Sequence, residues 1–187
     1  MTLFDSKNNE YFWTMPVSLY DKFVKWDKVP TTSMLFDSGE VIKVGDFRPF
    51  VGTNFQAVID DVYDNLESPD YFVFEIWYMV SALTIYSIDI GEDPSFAIET
   101  LVRGEGDCED TVILIADMLR SSSHTKDWEI KLIYFDSDNP TNPQNINHVA
   151  LSIDEGDGRY IIETTAKTIE DFTMWNNIDI IGWSLDV

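Results

Sequence analysis

Residues 104–110, Gly104-Glu105-Gly106-Asp107-Cys108-Glu109-Asp110, carry the reading on which the fold turns. Two glycines loosen the chain and an aspartate suited to an N-cap follows. Asp110 stands three positions on, where its carboxylate can reach back to the cap. The pattern predicts a helix from Asp107 to about Arg120, with Cys108 in its first turn. Val112, Ile115, Ala116 and Leu119 come four, seven, eight and eleven positions after the cysteine, so the sulfur lies on the inward stripe. Unpaired amides at a helix start favour a thiolate, whereas neighbouring carboxylates oppose it, so a histidine cation is expected nearby. The plainer reading of a lone cysteine is a small buried hydrophobe.

Downstream the period changes from helix to strand. In residues 147–153, Val149, Leu151 and Ile153 share one face, and His148, Ala150 and Ser152 share the other. The small neighbours of His148 predict a close approach of the helix end to that second face. A turn rich in Asp and Gly then leads into Tyr160-Ile161-Ile162-Glu163, which predicts a hairpin. A two-residue turn at Glu155-Gly156 sets His148 directly opposite Glu163. A four-residue loop over 155–158 makes them diagonal neighbours on one face, and a three-residue loop separates them. Two of these three turns give the histidine a carboxylate that can orient its ring. An ordinary cross-strand pair is the bland alternative.

Upstream, Phe55, Val58, Ile59, Val62 and Leu66 have helical spacing behind a cap at Thr53 or Asn54. Ser68-Pro69 opens the apolar run 71–88 as a helix. That run is long enough to cross a bilayer, but it contains Glu75 and has acidic flanks without Lys or Arg anchors, so it reads as a core helix. Residues 1–50 are aromatic-rich and irregular, with a helix expected over 16–26 and an extended piece over 40–44. They read as an N-terminal extension packed on the core, residues 51–187 being the catalytic domain. Further strands are expected over 128–135 and 178–185, with 136–146 a surface loop. Helices first and an antiparallel sheet second make the fold class α+β.

Composition narrows the function. The chain has 187 residues, with 12 Lys and Arg against 34 Asp and Glu, a net charge of −22. Such a surface repels phosphate backbones and anionic membranes, so neither nucleic acid nor membrane insertion is expected. An apolar fraction of 44% is too rich for disorder. One cysteine, Cys108, excludes a disulfide framework, and two histidines, His124 and His148, exclude a three-histidine metal centre. No signal peptide is read in residues 1–10, which points to a cytoplasmic protein. Asp136, Asp138 and Asn139, and the turn with Asp154, Glu155 and Asp157, are oxygen-rich but do not match EF-hand spacing, so they read as solvated loops.

The stretch Glu99-Thr100-Leu101, then Gly106-Asp107-Cys108-Glu109-Asp110-Thr111 and Ile113-Leu114, resembles the cysteine motif of the transglutaminase-like superfamily, especially prokaryotic members with a GDCED signature. His148-Val149-Ala150, and Tyr160 with Glu163-Thr164-Thr165, are similar to its histidine and acid blocks, and Ile181-Gly182 to the close of some archaeal members. The resemblance covers roughly residues 71–185. It implies a papain-like core, with the nucleophile helix packed on an antiparallel sheet. It makes Cys108 the nucleophile, His148 the base and acid, and Glu163 the orienting carboxylate, where many members carry aspartate. It implies no cofactor, although some relatives use calcium.

The expected activity is a cysteine hydrolase acting on protein or peptide amides through a thioester. Transamidation by the same residues, or a catalytically silent binding module, are the alternatives. The Cys108 amide is the expected oxyanion donor, with Tyr86 and Trp77 as side-chain candidates. The N-terminal extension could cover the cleft as an inhibitory segment.

Overall fold

Alternating apolar residues build the sheet, and the sheet positions everything else. The computed structural model describes residues 1–23, 30–35, 39–88, 94–156 and 158–187. Its N-terminal part holds two antiparallel ribbons, β1 (Thr2–Phe4) with β2 (Glu10–Phe12), and β3 (Thr31–Leu35) with β4 (Val41–Gly45), around helix α1 (Val17–Phe23). Helices α2 (Gln56–Asp64) and α3 (Phe72–Leu83) follow, then the short strand β5 (Ile85–Tyr86), α4 (Ala97–Arg103) and β6 (Glu105–Gly106). Helix α5 (Cys108–Ser121) precedes β7 (Glu129–Phe135), β8 (His148–Asp154), β9 (Arg159–Ile162), α6 (Ile169–Phe172) and β10 (Gly182–Asp186). The last four strands form one antiparallel sheet in the order β10-β7-β8-β9.

The α+β expectation holds. Helix α1 is described only to Phe23, so the end of the expected helix at Trp26 lies outside the described residues. The apolar run 71–88 is helical only to Leu83, because Ile85 and Tyr86 leave the helix to pair in parallel with Glu105 and Gly106. Glu75 stays in that helix because Ser6 satisfies it, its amide and hydroxyl donating to the carboxylate at 2.8 and 2.6 Å. Among the described residues, no helix is long and apolar enough to cross a membrane.

Helix α5 is buried almost end to end, with Val112, Ile113, Leu114, Ile115 and Ala116 all at 0% exposure. It lies between α2, α3 and α4 on one side and the sheet on the other. Val149, Leu151 and Ile153 share its core, whereas Ile133, Phe135, Ala150, Ile161 and Trp175 form a second cluster. This reverses one expectation. The helix packs on the bulky face of β8, where there is apolar area to bury, and the His148–Ala150 face is covered by Trp175 instead.

Helix α2 is also capped otherwise than the sequence suggests. Its N-cap is Phe55, with no side-chain cap. Its entry is held in trans by Asp117 of α5, fully buried, whose carboxylate accepts from the amides of Gly52 and Asn54 at 3.0 and 2.9 Å and from Asn54 Nδ2 at 2.7 Å. Ser121 Oγ accepts the Phe55 amide at 3.0 Å. Asp117→Ala strands several buried donors at once and should destabilise the protein by about 2–4 kcal/mol in urea unfolding. A loss below about 1 kcal/mol would show that this junction is not structurally important.

Candidate active site

Cys108 is the first residue of α5, and Gly106 lets the chain reach it. A Cβ at Gly106 would lie 2.6 Å from Asp110 Cβ, so only glycine permits the helix start to fold this tightly. The N-cap is Asp107 as expected, but its side chain caps nothing, and the first intrahelical bond runs from the Thr111 amide to the Asp107 carbonyl at 3.1 Å. The expected capping box is also absent at Asp110, whose Oδ1 accepts the amide of Ser95 at 2.7 Å. That contact ties the helix start to the loop before α4. Farther along, the Thr111 hydroxyl meets that of Thr164 at 3.0 Å, fastening the helix to the end of β9.

The hairpin carries the other two predicted residues. Asp154 pairs with Arg159, so the connection is the four-residue loop, and His148 and Glu163 are diagonal neighbours on one face. His148 Nε2 lies 2.7 Å from Glu163 Oε2. The same oxygen accepts the indole N–H of Trp175 at 2.7 Å, and Oε1 accepts the Thr165 amide and hydroxyl at 3.0 and 2.6 Å. Glu163 is 5% exposed. Burial alone would push its carboxyl up, but the bond and charge of His148, with Thr165 and Trp175, outweigh burial and hold it at about 2. Phe135 stands edge-on to the imidazole, with centroids 5.2 Å apart.

The sulfur meets this histidine strand at its end. Cys108 Sγ accepts the backbone N–H of Val149, one residue from His148. Cys108 and His148 both line a cleft of about 260 Å³, together with Val44, Gly45, Phe47, Tyr86 and Ile146. The structure thus brings Cys108, His148 and Glu163 to one place. With Nε2 engaged by Glu163, Nδ1 is the ring nitrogen left for the cleft.

The surroundings of the sulfur oppose a thiolate. Burial pushes the Cys108 thiol up, and the Glu109 carboxylate, whose Oε2 lies 3.3 Å from Sγ, adds to it, while the Val149 amide opposes them. Tyr86, half exposed, shares the cleft, and its hydroxyl is also raised by burial and then by the charge of Cys108. Trp77 is elsewhere. It is buried against Phe172, centroids 4.6 Å apart, and does not line the cleft. His124 is remote too, stacked on Tyr63 at 3.8 Å.

The oxygen-rich loops work as backbone staples. Asp136 accepts four amides, from Asp138, Asn139, Gln144 and Asn145, at 2.8 to 3.3 Å. Asp154 accepts the Gly156 amide at 2.8 Å, and Asp157 lies outside the described residues. Sequence reasoning missed Trp175 and Val149 as members of the site. An indole that must find an acceptor when buried was the available signal for the first. For the second, a backbone amide at a strand end, there was none.

No protein-family model matches this chain, and no curated protein matches its sequence. A crystal structure described as that of a "putative cysteine protease" from Cytophaga hutchinsonii is similar in fold, with a TM-score of 0.50 and 11% identity, over 86% of this chain and 73% of that one. At this identity the likeness shows the fold alone, a mixed α+β architecture.

Proposed function

We propose that this chain is a transglutaminase-like cysteine hydrolase that cleaves protein or peptide amides, with Cys108 as nucleophile, His148 as base and acid, and Glu163 as the carboxylate that orients the ring. The 2.7 Å bond between His148 Nε2 and Glu163 Oε2, beside the cleft that Cys108 lines, carries this reading. It fixes the imidazole so that Nδ1 is available to take the sulfur's proton, and it stabilises the imidazolium that results. Because burial and Glu109 push the thiol up, proton transfer to His148 accompanies attack rather than preceding it in this reading. Sulfur bonds to the carbonyl carbon, His148 returns the proton to the departing amine, and a thioester remains for water to hydrolyse. The Cys108 amide at the helix start is the natural oxyanion donor, with the Tyr86 hydroxyl as its side-chain partner.

A peptide-library digest read by mass spectrometry tests the assignment. Wild type should cleave, and Cys108→Ala should lose at least about 10³-fold. Amine-dependent cross-linking in place of cleavage would identify a transamidase, and equal products from both proteins would refute the nucleophile. Glu163→Gln should lower kcat by about 10²–10⁴-fold, as expected when an orienting carboxylate loses its charge.

Stability supplies an independent reading of the same pair. A carboxyl held at about 2 against an ordinary 4.5 contributes stability that is complete above pH 4.5 and is lost as pH falls towards 2. Wild type should therefore exceed Glu163→Gln by about 3 kcal/mol at neutral pH, with the gap closing across that window. A gap independent of pH would show that His148 does not stabilise a charged Glu163.

A further inference from the structure

Beside the sulfur stands an acid pair that this reaction leaves unused. Asp107 and Glu109 flank Cys108, and one titratable atom from each of the three residues lies within 4.8 Å of the others. Both acids are buried, at 8% and 9% exposure. Glu109 Oε2 is 3.3 Å from Sγ, the Asp107 carboxyl stands beside both, and among the described residues nothing partners the buried Asp107 Oδ1. Two carboxyl groups this close disfavour double ionisation, which favours the protonated form of Glu109. The titratable groups facing them from packed elements are Tyr86 of β5, Tyr134 of β7 and His148 of β8, with Glu163 behind the imidazole. No lysine or arginine is among the described residues lining the cleft, so His148 is the one cation that can offset these acids there.

We propose that Glu109 takes part in the cysteine's reaction as a proton-carrying neighbour: protonated, it donates to the sulfur as the thiolate forms, and ionised, it holds the sulfur as an inert thiol. The proton accounting closes on named atoms. The S–H proton passes to His148 Nδ1, and Glu109 keeps its own proton and turns it from Asp107 towards the sulfur. Once Glu109 has ionised, the same carboxylate accepts the S–H bond, which opposes transfer to His148. Burial, and next the bond to Asp107, push Glu109 up to about 8, so this change falls within an accessible pH range. The catalytic consequence rests on Cys108 being the nucleophile, but the effect on the sulfur does not.

The test is the rate of iodoacetamide alkylation of Cys108 in the full chain, followed by mass spectrometry from pH 5.5 to 10. In wild type the rate should fall as pH passes about 8. Glu109→Gln, a permanently neutral donor of similar shape, should show no fall and exceed wild type by about tenfold one to two pH units above that point. Asp107→Asn removes the second acid, so Glu109 ionises sooner and the fall should move to lower pH. Superimposable profiles for wild type and either variant would overturn the proposal, as would a wild-type rate that simply rises with the ordinary thiol value near 8.5. Should Glu109→Gln not fold, the wild-type fall and the Asp107→Asn displacement decide alone. Shifted profiles without peptide cleavage would reject the hydrolase and keep this inference. Cleavage with unshifted profiles would do the reverse.

Discussion

A carboxylate taken out of water costs several kcal/mol unless donors replace the solvent, and Glu163 is taken out of water almost completely. Its two oxygens receive the imidazole, an indole N–H, a backbone amide and a hydroxyl. These donors come from three places in the chain, His148, Trp175 and Thr165, so the charge constrains all three. It fixes the ring of His148 at the start of β8 and draws Trp175 over the far face of the sheet, where Phe135, Ala150 and Ile161 give the indole its apolar cover. It also turns the chain at Thr165 beneath the acid. The Glu163 amide donates to the Phe172 carbonyl at 2.9 Å, which closes the loop back on itself. Replacing any one donor leaves the charge in place with fewer partners, so the geometry behaves as a unit.

What could be read in advance follows the range of the forces involved. The pairing of His148 with Glu163 was legible because a strand's side chains alternate with period 2, and the loop between β8 and β9 is short enough to count. The α5 stripe was legible because burial repeats along a helix, and nearly every turn of this one is buried. The face on which the helix packs was not. Small residues beside His148 suggested room for an approaching helix, but association follows apolar area, and Val149, Leu151 and Ile153 offer more of it. Trp175 reached Glu163 through a non-repeating segment between α6 and β10, where no periodicity marks which way a side chain faces.

The capping pattern failed for a related reason. Asp107 and Asp110 have the spacing of a local reciprocal cap, and spacing is all that a sequence shows. In the folded chain Asp110 is claimed by the Ser95 amide, and the Asp107 side chain, which caps nothing, sits beside Glu109 and Cys108. Charge explains the choice. A thiolate and an ionised carboxylate 3.3 Å apart would repel by roughly 5 kcal/mol at an effective dielectric of 20. A third anion beside them would make thiolate formation harder still. Helix-terminal amides offset only about 0.3–2 kcal/mol of this. Burial and these neighbours raise both the Glu109 carboxyl and the Cys108 thiol, so reactivity at Cys108 is tied to the proton on Glu109.

The cleft itself argues against treating the N-terminal residues as a detachable cover. Val44, Gly45 and Phe47 form one wall of the space onto which Cys108 and His148 open. The Phe47 amide donates to the Tyr134 hydroxyl at 3.3 Å, and the two rings stack at 5.6 Å, so that wall is bonded to the central strand of the sheet. A Cβ at Gly45 would lie 2.5 Å from the Phe47 ring, which leaves glycine as the residue that keeps the wall flat against its own aromatic. Leu3, Tyr11, Trp13 and Met34 enter the same core as α5. Stripping these residues would expose that core and remove part of the lining of the cleft that the sulfur and the imidazole share.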